Sequence, residues 1–335
     1  MNIAIDCMGG DHAPFAMLEG CARALATLPE DVHLQLYGEG QALARYFAQQ
    51  SALSERYSIF PTTEEIGCNE SPTLAIRRKK DSSLVRALRA VAEGQAEAFL
   101  SAGSTGAVLT GATLIIRRLP GVLRPALAPL LPTVDGGQVM LIDCGANTDC
   151  KPTFLRQFAQ MGNAYFKSVL NVPKPRIALL NNGAEEEKGN ALTQAAFQLL
   201  KETEDVRFVG NIEPRRALFG DAEVIVCDGF DGNILLKTAE GTAEAIFALL
   251  KEGLGSTLRA KAGAALAMPA LRQLKKRMDW TEVGGAPMLG VNGVVIKAHG
   301  SADAGAFCQA LLQTERLARA GVVERIAQAI ADKSN

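Results

Sequence analysis

Five short segments hold most of the residues able to do chemistry, and each combines glycine with polar or charged side chains. They are Asp-Cys-Met-Gly-Gly-Asp-His-Ala-Pro at 6–14, Ser-Ala-Gly-Ser-Thr-Gly-Ala at 101–107, Asp-Cys-Gly-Ala-Asn-Thr-Asp at 143–149, Asn-Asn-Gly-Ala-Glu-Glu-Glu-Lys-Gly-Asn at 181–190 and Cys-Asp-Gly-Phe-Asp-Gly-Asn at 227–233. Glycine lets a backbone approach a ligand closely, and a helix starting just beyond such a turn offers unpaired N–H groups to an anion. Lys188 follows Glu185, Glu186 and Glu187, which are expected to hold its ammonium as a fixed cation. Asn147, Asn181, Asn190 and Asn233 add neutral donors that can hold an oxyanion without a competing charge. His12 and His299 each sit in a glycine-flanked loop beside an aspartate. An imidazole there can bind an anion, exchange a proton, or simply hydrogen-bond its own turn.

Other chemistries lack their residues. Gly38-Glu-Gly-Gln-Ala-Leu43 begins like a dinucleotide fingerprint but ends in Leu, and neither a P-loop nor a G-x-S-x-G elbow occurs. The third histidine, His33, alternates within an apolar run and reads as structural. No His/Cys/Asp spacing suggests a metal, and no cofactor is expected. The seven Cys are odd in number, contain no C-x-x-C pair and include several in apolar runs. That pattern points to buried free thiols in a reducing compartment rather than a disulfide framework. What remains is an anion-handling enzyme, and phosphate is the obvious anion.

The segments have to be positioned by something, and strand-like runs precede all five. Strands are predicted at 2–6, 32–37, 57–60, 96–100, 138–143, 176–180, 206–209 and 223–227, with amphipathic helices at 15–28, 82–93, 154–169 and 190–202. This alternation predicts an α/β fold: a three-layer α/β/α arrangement built on a mostly parallel sheet. The polar segments would then share the carboxyl edge of that sheet, where such folds bind ligands. After Gly232 the pattern changes to long helices at 233–250 and 253–278, a short strand pair around 290–297, and final helices at 302–320 and 323–332.

Composition narrows the class further. The chain has 335 residues, 35 Lys+Arg against 36 Asp+Glu, and 48% hydrophobic residues. It can bury a large core without disulfides, and its charge balance excludes intrinsic disorder and dedicated nucleic-acid binding. A single α/β domain over 1–335 is expected. No leader pattern opens the sequence, since Ile3-Ala4-Ile5 runs straight into Asp6, so a cytoplasmic protein is expected. The uncharged stretch 98–116 approaches a membrane-spanning length, but its glycines and hydroxyls suit a strand, a tight turn and a helix start. Segment 253–278 is the one region of single sign, with Arg259, Lys261, Arg272, Lys275, Lys276 and Arg277 and no acid. Apolar residues including Leu258, Leu266 and Leu271 are interleaved. It is expected to project as a basic, apolar helical element that either lies on an anionic membrane surface or packs a dimer.

These segments resemble the signature of the bacterial phosphate acyltransferase (PlsX) family of phospholipid synthesis. The resemblance rests on Met-Gly-Gly-Asp-His-Ala-Pro at 8–14, Lys-Lys-Asp-Ser-Ser at 79–83, Asp-x-Gly-Ala-Asn at 143–147 with Asp-Cys-Lys at 149–151, and Glu-Glu-x-Lys-Gly-Asn at 185–190. It continues through Phe-Val-Gly-Asn-Ile-Glu at 208–213, Cys-Asp-Gly-Phe-x-Gly-Asn at 227–233, Gly-Gly-Ala-Pro at 284–287 and the run 290–300 that ends in Lys-Ala-His-Gly. It extends in order from Met1 to about Phe307, with Ser104 where the family has Asn and Cys7 where it has Ala.

The resemblance implies an isopropylmalate-dehydrogenase-like α/β/α fold and a homodimer. It also implies attack of inorganic phosphate on a long-chain acyl thioester borne by acyl carrier protein, giving acyl phosphate and free carrier. Peripheral association with the membrane is implied too, beside the glycerol-3-phosphate acyltransferase that consumes the product. Joined to the residue chemistry, it makes Lys188 and Asn233 the expected catalytic pair, with His12 and His299 orienting phosphate or protonating the departing thiolate. Gly9, Gly10, Asp11, Gly103, Ser104, Thr105, Gly106, Gly145 and Ala146, together with Asn147, Asn181 and Asn190, are expected to cradle the anion. Leu258, Leu266, Leu271, Lys275, Lys276 and Arg277 are expected to touch the membrane. A phosphotransacetylase-like enzyme using coenzyme A thioesters and a non-enzymatic scaffold are the competing readings; a decarboxylating dehydrogenase lacks its nicotinamide loop and metal carboxylates.

Overall fold

The computed structural model describes residues 1–48, 50, 55–277 and 284–331. Its chain forms two sheets. The larger runs β3 (Tyr57–Pro61), β2 (His33–Gly38), β1 (Asn2–Asp6), β4 (Ala98–Ser101), β12 (Val294–Lys297), β11 (Ala286–Leu289) and β5 (Ala126–Leu127). The smaller runs β6 (Leu130–Pro132), β7 (Gln138–Ile142), β10 (Val224–Val226), β8 (Arg176–Leu180) and β9 (Arg207–Ile212). Within each sheet the central strands are parallel, and β5, β6 and β11 pair antiparallel. The α/β class and the mostly parallel pairing are as predicted, but one continuous sheet is not what forms. Residues 126–132 pass from one sheet to the other: Ala128 N–H donates to Pro287 in the first, and Leu141 N–H donates to Pro129 in the second. Their pattern, Ala-Leu-Ala-Pro-Leu-Leu-Pro, is too short and too proline-rich to read as strand.

Strand alternation decides which helix covers which face. Ile3 and Ile5 of β1 join a core with α1 (Phe15–Leu25) and α10 (Ala304–Arg319), while Ala4 between them joins α4 (Ser83–Ala92) and α5 (Thr105–Gly111) on the opposite face. In the smaller sheet Met140 and Ile142 face α6 (Pro152–Ser168) and α11 (Val322–Ala331). Val139 and Leu141 face the other way, toward Leu235 and Leu236 of α8 (Gly229–Gly255). The core on the α1/α6/α10 side runs continuously from one sheet to the other.

Several boundaries moved. Helices α2 (Gly40–Phe47) and α3 (Pro72–Arg78), not foreseen, complete the layers around the larger sheet, and α7 (Ala191–Lys201) packs against β8 and β9 of the smaller. The stretch 98–116 divides into β4, a turn and α5, as its glycines suggested, with a π-helical turn at 112–116 following. Among the described residues no helix is long and apolar enough to cross a membrane. Helix α8 starts at Gly229, four residues before the predicted point, because Asp228 caps it by accepting from Asp231 N–H at 2.8 Å. Gly229 and Gly232 are the residues that permit this: a side chain at either would collide with the 143–147 turn.

Helix α8 continues to residue 255 and folds back as α9 (Leu258–Arg277), which packs on α8. Apolar side chains stand in solvent along this hairpin, with Leu258 86% and Leu266 87% exposed and Leu271 half-buried. Within 253–277 the chain forms the end of α8, a short turn and α9. Lys275, Lys276 and Arg277 lie in the last turn of α9, but their side chains fall outside the described residues, as do Met278 and Asp332.

Candidate active site

Two strand ends carry a buried aspartate, and each organises a turn. Asp6 closes β1, and its carboxylate accepts from the hydroxyls of Ser101 and Ser83, both at 2.6 Å, and from Met8 N–H at 3.2 Å. Ser101 Oγ in turn accepts from Gly103 N–H at 2.9 Å. Burial pushes the Asp6 carboxyl above its ordinary range, against the hydrogen bonds that lower it. Gly9 must be glycine, since a Cβ would lie 2.5 Å from Gly103 N and 2.6 Å from an Asp6 oxygen. Asp11 N–H donates to Gly300 O at 2.8 Å and Ala298 N–H to Ser101 O at 2.9 Å. Loops 9–12, 101–104 and 298–300, far apart in sequence, are thus tied together by these bonds.

The second aspartate, Asp143, follows β7. It accepts from Leu127 N–H (2.9 Å), Ala146 N–H (3.2 Å), Asn147 N–H (2.6 Å) and the Asn147 amide (2.9 Å). The other Asn147 amide hydrogen goes to Pro125 O at 2.7 Å. Asn147 therefore has no N–H left for an anion; its donors hold the turn that presents Gly145 and Ala146. Burial raises the Asp143 carboxyl as well.

Between the two edges lies a cleft of about 370 Å³. The predicted residues Thr105, Gly145, Asn233 and His299 line it, facing apolar walls from Leu127 to Leu131 and the Gly284-Gly285 turn. Asn233 sits on the second turn of α8, with its amide about 3.8 Å from where a Cβ on Gly145 would be. His299 Nδ1 accepts from Ser301 N–H at 3.3 Å and lies 2.8 Å from the Ser301 hydroxyl, which leaves Nε2 to carry the proton of the neutral ring. His33, read as structural, contacts Ser58 Oγ at 2.9 Å within β2 and β3.

The remaining predicted residues divide differently. Asn181, Gly189 and Asn190 line a second cavity of about 400 Å³, walled by Asp231, Ile234 and Thr238 of α8. The first cleft takes Asn233, Leu236 and Lys237 from the same turns of that helix, so α8 stands between the two. Asn190 caps α7 by accepting from Thr193 N–H at 2.9 Å, and Asn181 donates to Lys188 O at 3.1 Å. These amides shape the loop that presents Lys188. Its three glutamates do not hold Lys188 as expected: Glu186 turns to Lys201 at 3.1 Å, and Lys188 stays exposed without an ion pair among the described residues. His12 is exposed in a shallow cavity with Glu19, Arg23 and Asp303, apart from the cleft. The five segments thus occupy the ends of two sheets and border separate cavities.

Three charged cleft residues were missed: Lys237 and Glu240 of α8, which pair with each other at 3.2 Å, and Lys297. Lys297 ends β12, is 7% exposed and lines the cleft. Its Nζ donates to Ala102 O at 3.2 Å and to Ala298 O. The signal was available: a lysine closing the apolar run Val-Val-Ile and leading into Ala-His-Gly. The thiols play no comparable part; burial raises Cys7, Cys21, Cys144 and Cys227, and holds Cys150 near 12. No group of three or more metal-ligating side chains occurs among the described residues.

Residues 1–325 match the family described as "Fatty acid synthesis protein". A phosphate acyltransferase of Clostridium perfringens strain SM101 is 49% identical over 334 residues, covering 100% of this chain and 98% of that protein. One of Clostridium botulinum strain Loch Maree is 47% identical over 326 residues, covering 97% and 96%. The chain belongs to this family of acyltransferases. Membership in the phosphate acyltransferase family makes it a transferase of fatty acid and phospholipid synthesis. In fold it is similar to a phosphotransacetylase of Streptococcus pyogenes, with TM-score 0.60 and 17% identity over 99% of this chain and 94% of that one. A branched-chain phosphotransacylase of Enterococcus faecalis gives TM-score 0.58 and 13% identity over 95% and 99%. The predicted α/β class is shared with both.

Proposed function

We propose that the chain transfers a long-chain acyl group from acyl carrier protein to inorganic phosphate, reversibly, giving acyl phosphate and free carrier. The observation that supports this most directly is the cleft between the sheets, where amide, imidazole and lysine side chains face apolar walls. Phosphate is a competent nucleophile near neutral pH and a thiolate leaves readily, so no covalent enzyme intermediate is needed. A phosphate oxygen bonds to the thioester carbonyl carbon, the C–S bond breaks, and the departing thiolate takes a proton. The protein supplies position and charge stabilisation. Asn233 binds the phosphate or the oxyanion developing on the carbonyl, and Lys188, exposed on the loop beside the second cavity, meets the carrier-borne substrate. His299, with Nε2 as its free donor, orients phosphate or protonates sulfur, and His12 serves the same loop edge through the Asp11–Gly300 link. The turns 9–11, 103–106 and 145–146 cradle the anion.

The same reading makes the protein a homodimer working at the inner face of the cell membrane, handing acyl phosphate to a glycerol-3-phosphate acyltransferase. The α8–α9 hairpin is its anionic-membrane contact, through exposed Leu258 and Leu266 and the basic end of α9. The deciding assay mixes the protein with palmitoyl-loaded acyl carrier protein and inorganic phosphate and identifies products by mass spectrometry. Acyl phosphate that forms only when phosphate is added supports the reading. Product from palmitoyl-coenzyme A but none from the loaded carrier transfers the assignment to a phosphotransacetylase-type reaction, which the fold likeness favours as the alternative. Carrier binding without any product would turn it into a scaffold. Charge reversal at Lys275, Lys276 and Arg277 is expected to weaken sedimentation with anionic vesicles; unchanged sedimentation removes the membrane role.

A further inference from the structure

The register of the larger sheet brings three polar strand ends side by side: Asp6 opposite Ser101, and Ser101 opposite Lys297. The outer two differ in how they are satisfied. Asp6 accepts from two hydroxyls and a backbone N–H. Lys297 gives two of its three hydrogens to the backbone carbonyls of Ala102 and Ala298, and the third has no partner among the described residues. Nor does Lys297 form an ion pair there; Lys237, the other lysine of the cleft, is matched by Glu240 at 3.2 Å. A buried ammonium without a counter-ion is costly to a fold. Its place in the cleft supplies the reason for keeping it.

We infer that Lys297 is the cation that binds inorganic phosphate in the cleft between the two sheets, fixing the nucleophile beside Asn233 and His299. This rests on the acyl-transfer reading and adds to it the residue that receives the phosphate. Lys188 is poorly placed for that duty, because it is exposed on a loop bordering the other side of α8. The two carbonyls hold the Lys297 amine still, so its charge is preorganised rather than recruited. Several groups act on that charge. Asp6 from β1, Asp11 from the following loop and Cys68 from the loop before α3 favour it; Lys237 from α8 opposes it. Glu240 on α8 lies across the cleft as the partner of Lys237, and His299 stands two residues beyond Lys297. Burial is the largest influence and brings the amine down to about 8, so it is charged at neutral pH and loses its proton within reach of an assay.

The experiment compares wild type, K297M and K297R by two readouts: the KM for phosphate with saturating palmitoyl-loaded carrier, and calorimetric titration with inorganic phosphate alone. K297M is expected to weaken phosphate by tenfold or more in both. Wild-type affinity for phosphate is expected to fall as pH rises through about 8. In K297R, whose guanidinium stays charged, that fall should disappear. A merely structural lysine would not move the pH profile. K297M binding phosphate within twofold of wild type overturns the inference, as does a wild-type profile flat from about pH 7 to 9.5. If K297M does not fold, the wild-type and K297R profiles decide. If wild type makes no acyl phosphate, the titration still decides: loss of phosphate binding in K297M keeps the inference while the acyl-transfer reading fails.

Discussion

The two sheet edges solve one problem with different materials. At the larger sheet, buried Asp6 is satisfied mainly by serine hydroxyls, and the nearby cation, Lys297, is buried with it. At the smaller sheet, buried Asp143 is satisfied by backbone N–H groups and the Asn147 amide, and the nearby cation, Lys188, is exposed on a loop. Hydroxyls rotate to suit a new arrangement, whereas backbone amides cannot turn without moving the chain. The first edge is therefore a polar pocket with a fixed charge and adaptable neighbours. The second is a rigid turn whose nearest segment cation stands exposed on a separate loop. The proposed acyl transfer would use both kinds of group, one to hold a small nucleophile and one to meet a large substrate.

Asp143→Ala tests the contrast most severely. It orphans donors from Leu127, Ala146 and Asn147 at once and is expected to cost about 3–5 kcal/mol in urea unfolding. Asp6→Ala should cost roughly half as much, because Ser83 and Ser101 can find other acceptors. Equal losses would dissolve the distinction.

The buried cation should show itself in the pH dependence of stability. The ordinary lysine pKa of 10.5 applies when unfolded and about 8 when folded, so above about pH 8 the unfolded chain binds more protons and stability rises with pH. The gain approaches about 3 kcal/mol at most. Denaturant unfolding from pH 7 to 10 should show wild type gaining on K297M by this amount, while the buried thiols, which ionise only on unfolding, pull both curves down alike; parallel curves would mean that Lys297 titrates normally.

On the other edge, Lys188→Ala should lower turnover about a hundredfold while leaving the unfolding midpoint unchanged, as expected for an exposed side chain. Near-normal turnover with an intact fold would strike it from the mechanism. The smallest effect is expected for Asn190→Ala, which removes the α7 cap: about 1 kcal/mol in stability, with a modest rise in KM as the Lys188 loop loosens. A fall in kcat with KM unchanged would instead give Asn190 a direct part in the transition state.

Much of this was legible in the chain. Parallel strands β1 and β8 have the predicted bounds, and the turn–helix start at 101–107 is where its glycines indicated. Thr105, Gly145, Asn233 and His299 do meet in one cleft. Of three asparagines read as anion donors, two spend side-chain hydrogens within the protein and the third uses its oxygen. Asn147 holds Asp143 and Pro125, Asn181 holds the Lys188 carbonyl, and Asn190 caps α7. An amide's type announces that it can donate; only the neighbours show whether its hydrogens are already taken.

Sequence by itself determined what is local. Apolar runs with period two, amphipathic helices and glycine turns follow from sterics and burial within a dozen residues, and residue types pointed to anion chemistry. Tertiary structure decided what depends on distant pairing. Residues 126–132 divide the strands into two sheets by bonding to Pro287 on one side and Leu141 on the other. That division separates Lys188 from the cleft and places Lys297 inside it. Burial turned an unremarkable strand-end lysine into a perturbed, preorganised charge, because desolvation is a property of the whole fold and of no single stretch of it.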